Sequence, residues 1–119
     1  MNNNKVTLIA IFFLLSSAMM AQQQNWNWYF GDGAAVNFSS GSPVAVAGCA
    51  MSTVEGCATI SDAAGNLLFY TDGINVWNKN NIAMPNGFLL NGNSSATQSA
   101  IIVKAPCSNH LYYIFTADY

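Results

Sequence analysis

The sequence predicts an all-β fold: antiparallel four-stranded blades forming part of a β-propeller, with a β-sandwich as the alternative. Three observations lead there. Beyond residue 22 the apolar residues fall in short runs rich in aromatic and β-branched side chains, with weak helical periodicity. Turn chemistry built on Asp, Asn and Gly separates these runs. Related runs also recur at spacings of about 40 to 45 residues, the period of a propeller blade.

The first element is not part of that fold. Lys5 and the amino terminus form a positive region, Val6 to Leu15 an apolar core, and Ser16, Ser17 and Ala18 a polar fall-off ending at Ala21. Residues 1–21 therefore read as a cleavable export signal. Met19 is large for the third position before the cut, so cleavage after Ala18 is the alternative. The apolar stretch falls short of the roughly 20 residues that span a bilayer. No stable membrane span is expected after cleavage. No Cys follows the cut, so no lipid anchor is expected either. Residues 22–119 form the exported part.

Within it, Trp26 to Phe30, Leu67 to Thr71, Ala100 to Val103 and Leu111 to Thr116 read as strands. Several are apolar at consecutive positions, and a strand apolar on both faces needs cover on both, which stacked sheets supply. Asp62-Ala63-Ala64-Gly65 has Asp opening a type I turn and Gly closing it. It should pair Ala58 to Ser61 antiparallel with Leu67 to Thr71, with Gly65 at positive φ. Asp72-Gly73 marks a second turn before Val76-Trp77, and Met84 to Gly87 and Asn91 to Ser94 read as loops. Tyr29 to Gly33 resembles Phe69 to Gly73, Leu111 to Asp118 resembles Asn66 to Asp72, and Ala58 to Ser61 resembles Ala100 to Val103. About 98 residues make roughly two blades, and a ring needs at least four. The expectation is an amino-terminal fragment of a longer propeller.

Trp28 to Gly31, Glu55 to Asp62, Gly65 to Gly73, Val76 to Asn78, Met84 to Gly87, Ser94 to Ile102 and Tyr112 to Thr116 together resemble a known group. It comprises the amino-terminal regions of gliding-motility-associated or type IX secretion cargo proteins, often with PKD (Ig-like) modules downstream. The resemblance covers nearly the whole exported part. It implies the start of a β-propeller in a cell-surface protein, whose carboxy-terminal sorting domain would lie beyond Tyr119. The positions of Cys49 and Cys107 depart from the pattern.

Composition narrows the chemistry. The chain is 52% hydrophobic and 7% charged, with a net charge of -2 and no Arg. It offers no basic patch for nucleic acid. Cys49, Cys57 and Cys107 are odd in number, so at least one thiol is left over; buried free thiols and one disulfide both remain open. No CxxC or HxxxH accompanies them, so a zinc site is not expected. His110 lies in a polar loop without an acid or nucleophile pattern. No GxSxG, HExxH or phosphate-binding Gly motif is present.

Glu55, Asp62 and Asp72 are the carboxylates available for glycoside chemistry, but turn roles account for Asp62 and Asp72. Ser61 to Phe69 loosely resembles an Asp-box, which is a folding turn. Calcium at Asp32, Asp62 or Asp72 lacks any EF-hand or nonapeptide repeat. Trp26, Trp28 and Trp77 suit blade packing better than sugar stacking. The sequence thus points to a non-catalytic structural or adhesive segment, with no catalytic, cofactor or metal residues and with an extracellular glycan or cell-surface protein as partner. The alternatives are the start of a propeller enzyme and a carbohydrate-binding module acting on extracellular polysaccharide.

Overall fold

A computed structural model describes residues 23–118. The export signal assigned to residues 1–21, and the cut before Gln22, lie outside the described residues. Among the described residues eight strands form three antiparallel sheets. The first sheet orders β1 (Asn27–Phe30), β2 (Ala34–Asn37) and β3 (Val44–Ala45). The second orders β4 (Ala58–Ser61), β5 (Leu67–Thr71) and β6 (Val76–Asn78). The third pairs β7 (Ala100–Lys104) with β8 (Tyr112–Thr116). The all-β expectation holds. Among the described residues the sheets have three, three and two strands, where the blade expectation is four each.

The hairpins follow from their turn residues. β4 pairs antiparallel with β5 from Ala58↔Thr71 to Ser61↔Leu67, with a register shift between Ile60 and Ser61. In the connecting turn the Gly65 N–H donates to the Asp62 carbonyl at 3.0 Å, and the Asp62 N–H donates to the Asn66 carbonyl at 2.9 Å. Gly65 has φ 81°, a conformation in which a side chain is strained. Between β5 and β6, Asp72 Oδ1 accepts the N–H groups of Ile74 and Asn75 at 2.8 and 2.6 Å. The short Asp side chain thereby replaces backbone partners that the turn lacks. Gly73 sits beneath Ser99, and a Cβ there would come within 2.7 Å of the Ser99 carbonyl oxygen.

β2 and β3 go beyond the strands read from the sequence. Ala34-Ala35-Val36-Asn37 and Val44-Ala45 each hold a single Val among Ala and Asn, which are depleted in strands. They are strands because β1 offers an edge: Trp28 pairs with Val36, and Val36 in turn with Ala45.

The sheets stand in series, β1 beside β4 and β4 beside β7, so the first strand of each sheet is the one nearest its neighbour. The principal core lies between the first two sheets and consists of Tyr29, Ala35, Met51 and Tyr70. Tyr29 stacks on Tyr70 with ring centroids 4.5 Å apart, and Tyr70 on Trp77 at 5.5 Å. Polar groups tie the same boundary. Asn27 Nδ2 donates to Ser61 Oγ at 3.0 Å and to the Gly65 carbonyl at 2.8 Å. Thr59 Oγ1 accepts the Tyr29 N–H at 3.2 Å and donates to the Tyr29 carbonyl at 3.3 Å. Between the second and third sheets Phe69 meets Tyr112 edge to face at 5.6 Å, and the buried Ser99 hydroxyl donates to the Gly56 carbonyl at 2.6 Å.

The repeats read in the sequence fare unequally. Tyr29-Phe30 lies on the first strand of its sheet and Phe69-Tyr70-Thr71 on the second strand of another, so that pair of segments is not structurally equivalent. β4 and β7 are both first strands, β5 and β8 both second strands, and Ala58↔Thr71 matches Ala100↔Thr116 in the ladder. Yet Phe69 and its counterpart Ile114 line one cavity between their sheets. A strict blade repeat would put aligned residues on the same side of successive sheets. The short period of the strand pattern allows this, since a shift of one residue reverses the face.

Candidate functional site

Two of the carboxylates, those of Asp62 and Asp72, are occupied by their own turns. Asp62 Oδ1 accepts the N–H groups of Ala64 and Asn66, both at 2.9 Å, and Oδ2 accepts Asn66 Nδ2 at 2.9 Å. These hydrogen bonds, first that of the Asn66 side chain and then that of its backbone, hold the Asp62 carboxyl below the ordinary 3.8. Asp72 is buried, its carboxylate turned onto the backbone of Ile74 and Asn75. Glu55 is exposed and accepts the Thr97 hydroxyl at 3.1 Å. Asp32 is exposed and belongs to an isolated bridge with Ser52. Among the described residues no hydrogen bond joins one of these carboxylates to another or to His110. Acid–base work needs positioned partners of that kind. No group of three or more His, Cys, Asp or Glu among the described residues is arranged to hold a metal ion.

The thiols divide by position. Cys49, Cys57 and Cys107 are all free. Cys49 and Cys57 are half-buried against the Tyr29–Tyr70 core, and Cys57 Sγ donates to the Tyr29 carbonyl at 3.4 Å. Burial, then the proximity of Cys49, pushes the Cys57 thiol up from its ordinary value. Cys107 is exposed at the tip of the β7–β8 loop, so the expectation of buried thiols fails there: its turn places it at φ 59°, in solvent. The same polar loop carries His110, whose backbone N–H donates to Ser108 Oγ at 3.3 Å.

Two apolar clefts lie beside the core. One, of about 490 Å³, is lined by Asn25, Asn27, Trp28, Phe30, Cys57 and Thr59. The other, of about 340 Å³, lies between the second and third sheets and is lined by Phe69, Met84, Asn86, His110, Tyr112 and Ile114. The structure thus brings His110 to a cleft with aromatic walls, which its sequence context does not disclose. The three tryptophans separate. Trp77 packs in the core, and Trp26 covers Gly65. Trp28 is 55% exposed, tilted against Phe38 at 5.2 Å, with Nε1 donating to the Asn25 carbonyl at 2.8 Å. Core packing therefore describes Trp77 and not Trp28. No helix among the described residues is long and apolar enough to cross a membrane.

These features define an all-β protein of serially stacked antiparallel sheets. Comparison with family profiles, curated proteins and solved structures finds no match for the chain.

Proposed function

We propose that this chain is a non-catalytic structural or adhesive segment of an exported cell-surface protein, with its sheets forming part of a β-propeller. The observation that carries the reading is the commitment of the carboxylates: Asp62 and Asp72 hold the turns that build the second sheet. The same groups cannot serve both as turn anchors and as free acid–base pairs. The propeller is supported by the serial order of the sheets, each approaching the next through its first strand. Export rests on the amino-terminal charge and apolar pattern of residues 1–21. The resemblance to gliding-motility-associated and type IX secretion cargo points to the cell surface and to a glycan or a surface protein as partner.

The test is a screen of the exported protein against extracellular glycans, peptides and esters. No turnover is expected, and Glu55→Gln and His110→Ala should leave folding intact. An activity abolished by either change in a folded variant would promote the enzyme alternative. The cleft holding His110, Phe69 and Tyr112 favours a second reading, a carbohydrate-binding module, because aromatic walls suit a sugar ring. Saturable oligosaccharide binding lost in Tyr112→Ala would establish that reading instead. Amino-terminal sequencing of the exported form should begin at Gln22, and an intact Met1 outside the cell would overturn export by cleavage.

A further inference from the structure

A third cavity, of about 680 Å³, opens between the first two sheets beside the β4–β5 turn. Proteins hold small ligands in spaces of roughly 300–1,000 Å³. Its walls come from the first two sheets alone, and they are polar where the two clefts above are apolar. The polar groups are already oriented. Asn37 Oδ1 accepts the Ser39 N–H at 2.9 Å, and Asn37 Nδ2 donates one hydrogen to Asn27 Oδ1 at 2.8 Å. The second Nδ2 hydrogen has no partner among the described residues. Asn66 gives its Nδ2 to Asp62 at 2.9 Å, which leaves its Oδ1 as an acceptor. Lys79 is exposed, close enough to Asp62 for its charge to favour the carboxylate. The half-buried Trp26 adds aromatic surface beside them.

The apolar part of the wall depends on a break in the strand. Tyr70 points to the first sheet and Phe69 to the third. Strict alternation would put Leu68 with Tyr70 and Leu67 with Phe69. The register shift at Ser61↔Leu67 brings Leu67 round to the first core, so both leucines line the cavity.

We propose that this cavity binds a neutral oligosaccharide. The inference rests on the adhesive reading above and names its site and its ligand class. Each sugar hydroxyl both donates and accepts, so it calls for fixed donors and acceptors side by side. Asn37, Asn66 and Lys79 supply both kinds. The C–H face of a sugar ring packs on apolar and aromatic surface, which Trp26, Leu67 and Leu68 provide. One ammonium stands against one carboxylate, so the site carries no net charge to select an ionic ligand.

The experiment is calorimetric titration and side-chain amide NMR of the exported chain with cellohexaose, xylohexaose and mannohexaose, and with hexagalacturonate for comparison. Saturable binding of a neutral probe is expected, with the Asn37 and Asn66 amide signals shifting. Lys79→Met keeps the aliphatic stem and removes the charged donor, so it should weaken binding about tenfold. Trp26→Ala should weaken it as well. That change also uncovers Gly65, so where circular dichroism shows a lost fold Lys79→Met alone decides. Tyr112→Ala, in the cleft beyond the second sheet, should leave the affinity unchanged. The proposal is overturned if no neutral probe binds, or if folded Lys79→Met binds undiminished. Binding abolished by Tyr112→Ala would move the saccharide to the His110 cleft, and binding of hexagalacturonate alone would make charge the recognised feature; either result overturns it. A surface protein captured without any saccharide would keep the adhesive reading and overturn this site. Turnover of a bound probe would sink the non-catalytic reading and leave the site standing, so the two failures are distinguishable.

Discussion

Gly65 is held by two independent constraints. Its φ of 81° disfavours any side chain, and an added Cβ would overlap the Trp26 indole and come within 2.9 Å of the Gln23 carbonyl. The conformational part alone costs an L-residue about 1–2 kcal/mol. Gly65→Ala is therefore expected to lower stability by about 2 kcal/mol in urea denaturation, with the steric part added. In a Trp26→Ala background the steric part should shrink and the conformational part stay. Equal costs in both backgrounds would show that the indole contributes nothing. Asp62 sets the acid side of the same turn. Its carboxyl is held below 3.8 by hydrogen bonds to the charged form, so it stabilises the fold above that value. That contribution fades as pH falls through the lowered value. Carboxyl-carbon NMR should place the Asp62 midpoint below an ordinary aspartate, and Asn66→Ala should move it upward. A midpoint unmoved by Asn66→Ala would assign the shift to other groups.

The second sheet is the element through which the first is anchored. The Tyr70 hydroxyl accepts the Ala50 N–H and donates to Asn81 Oδ1, both at 3.0 Å, while its ring stacks on Tyr29 and Trp77. Tyr70→Phe keeps the ring and removes both hydrogen bonds. A loss of about 1–2 kcal/mol is expected in thermal or chemical denaturation, the larger end if Asn81 is left without a partner. Tyr70→Ala should cost more than twice as much, because it also empties the core. A Tyr70→Phe change without effect would place the stabilisation in the rings alone. This element is also the most legible in the sequence. Asp62, Gly65 and Asp72 specify their turns locally, and the ladder from Ala58↔Thr71 follows from them. β2 and β3 are hidden because their small residues become strands only through the edge that β1 supplies. The cleft at His110 is hidden for a related reason: Phe69, Asn86 and Tyr112 meet it only across two sheets. The outward faces require the register, since one residue of slip exchanges them with the core.

At the scale of the whole molecule, burial is unevenly shared among the three sheets. The second sheet is flanked on both sides, and its strand β5 ends in the fully buried Tyr70 and Thr71, followed by the buried Asp72. The third sheet has two strands, and Ile101, Val103, Tyr113 and Phe115 meet solvent. Apolar surface that stays in water adds nothing to stability, so elements with exposed side chains open at lower free energy than the whole. Hydrogen exchange of the monomer, measured at low concentration, should therefore find the slowest amides in β5. The ladder between β7 and β8 should exchange sooner, and together, because the five pairs from Ala100↔Thr116 to Lys104↔Tyr112 form one uninterrupted register. Equal protection in all three sheets of the monomer would show that they unfold as one unit, and would remove the idea of a loosely held terminal sheet.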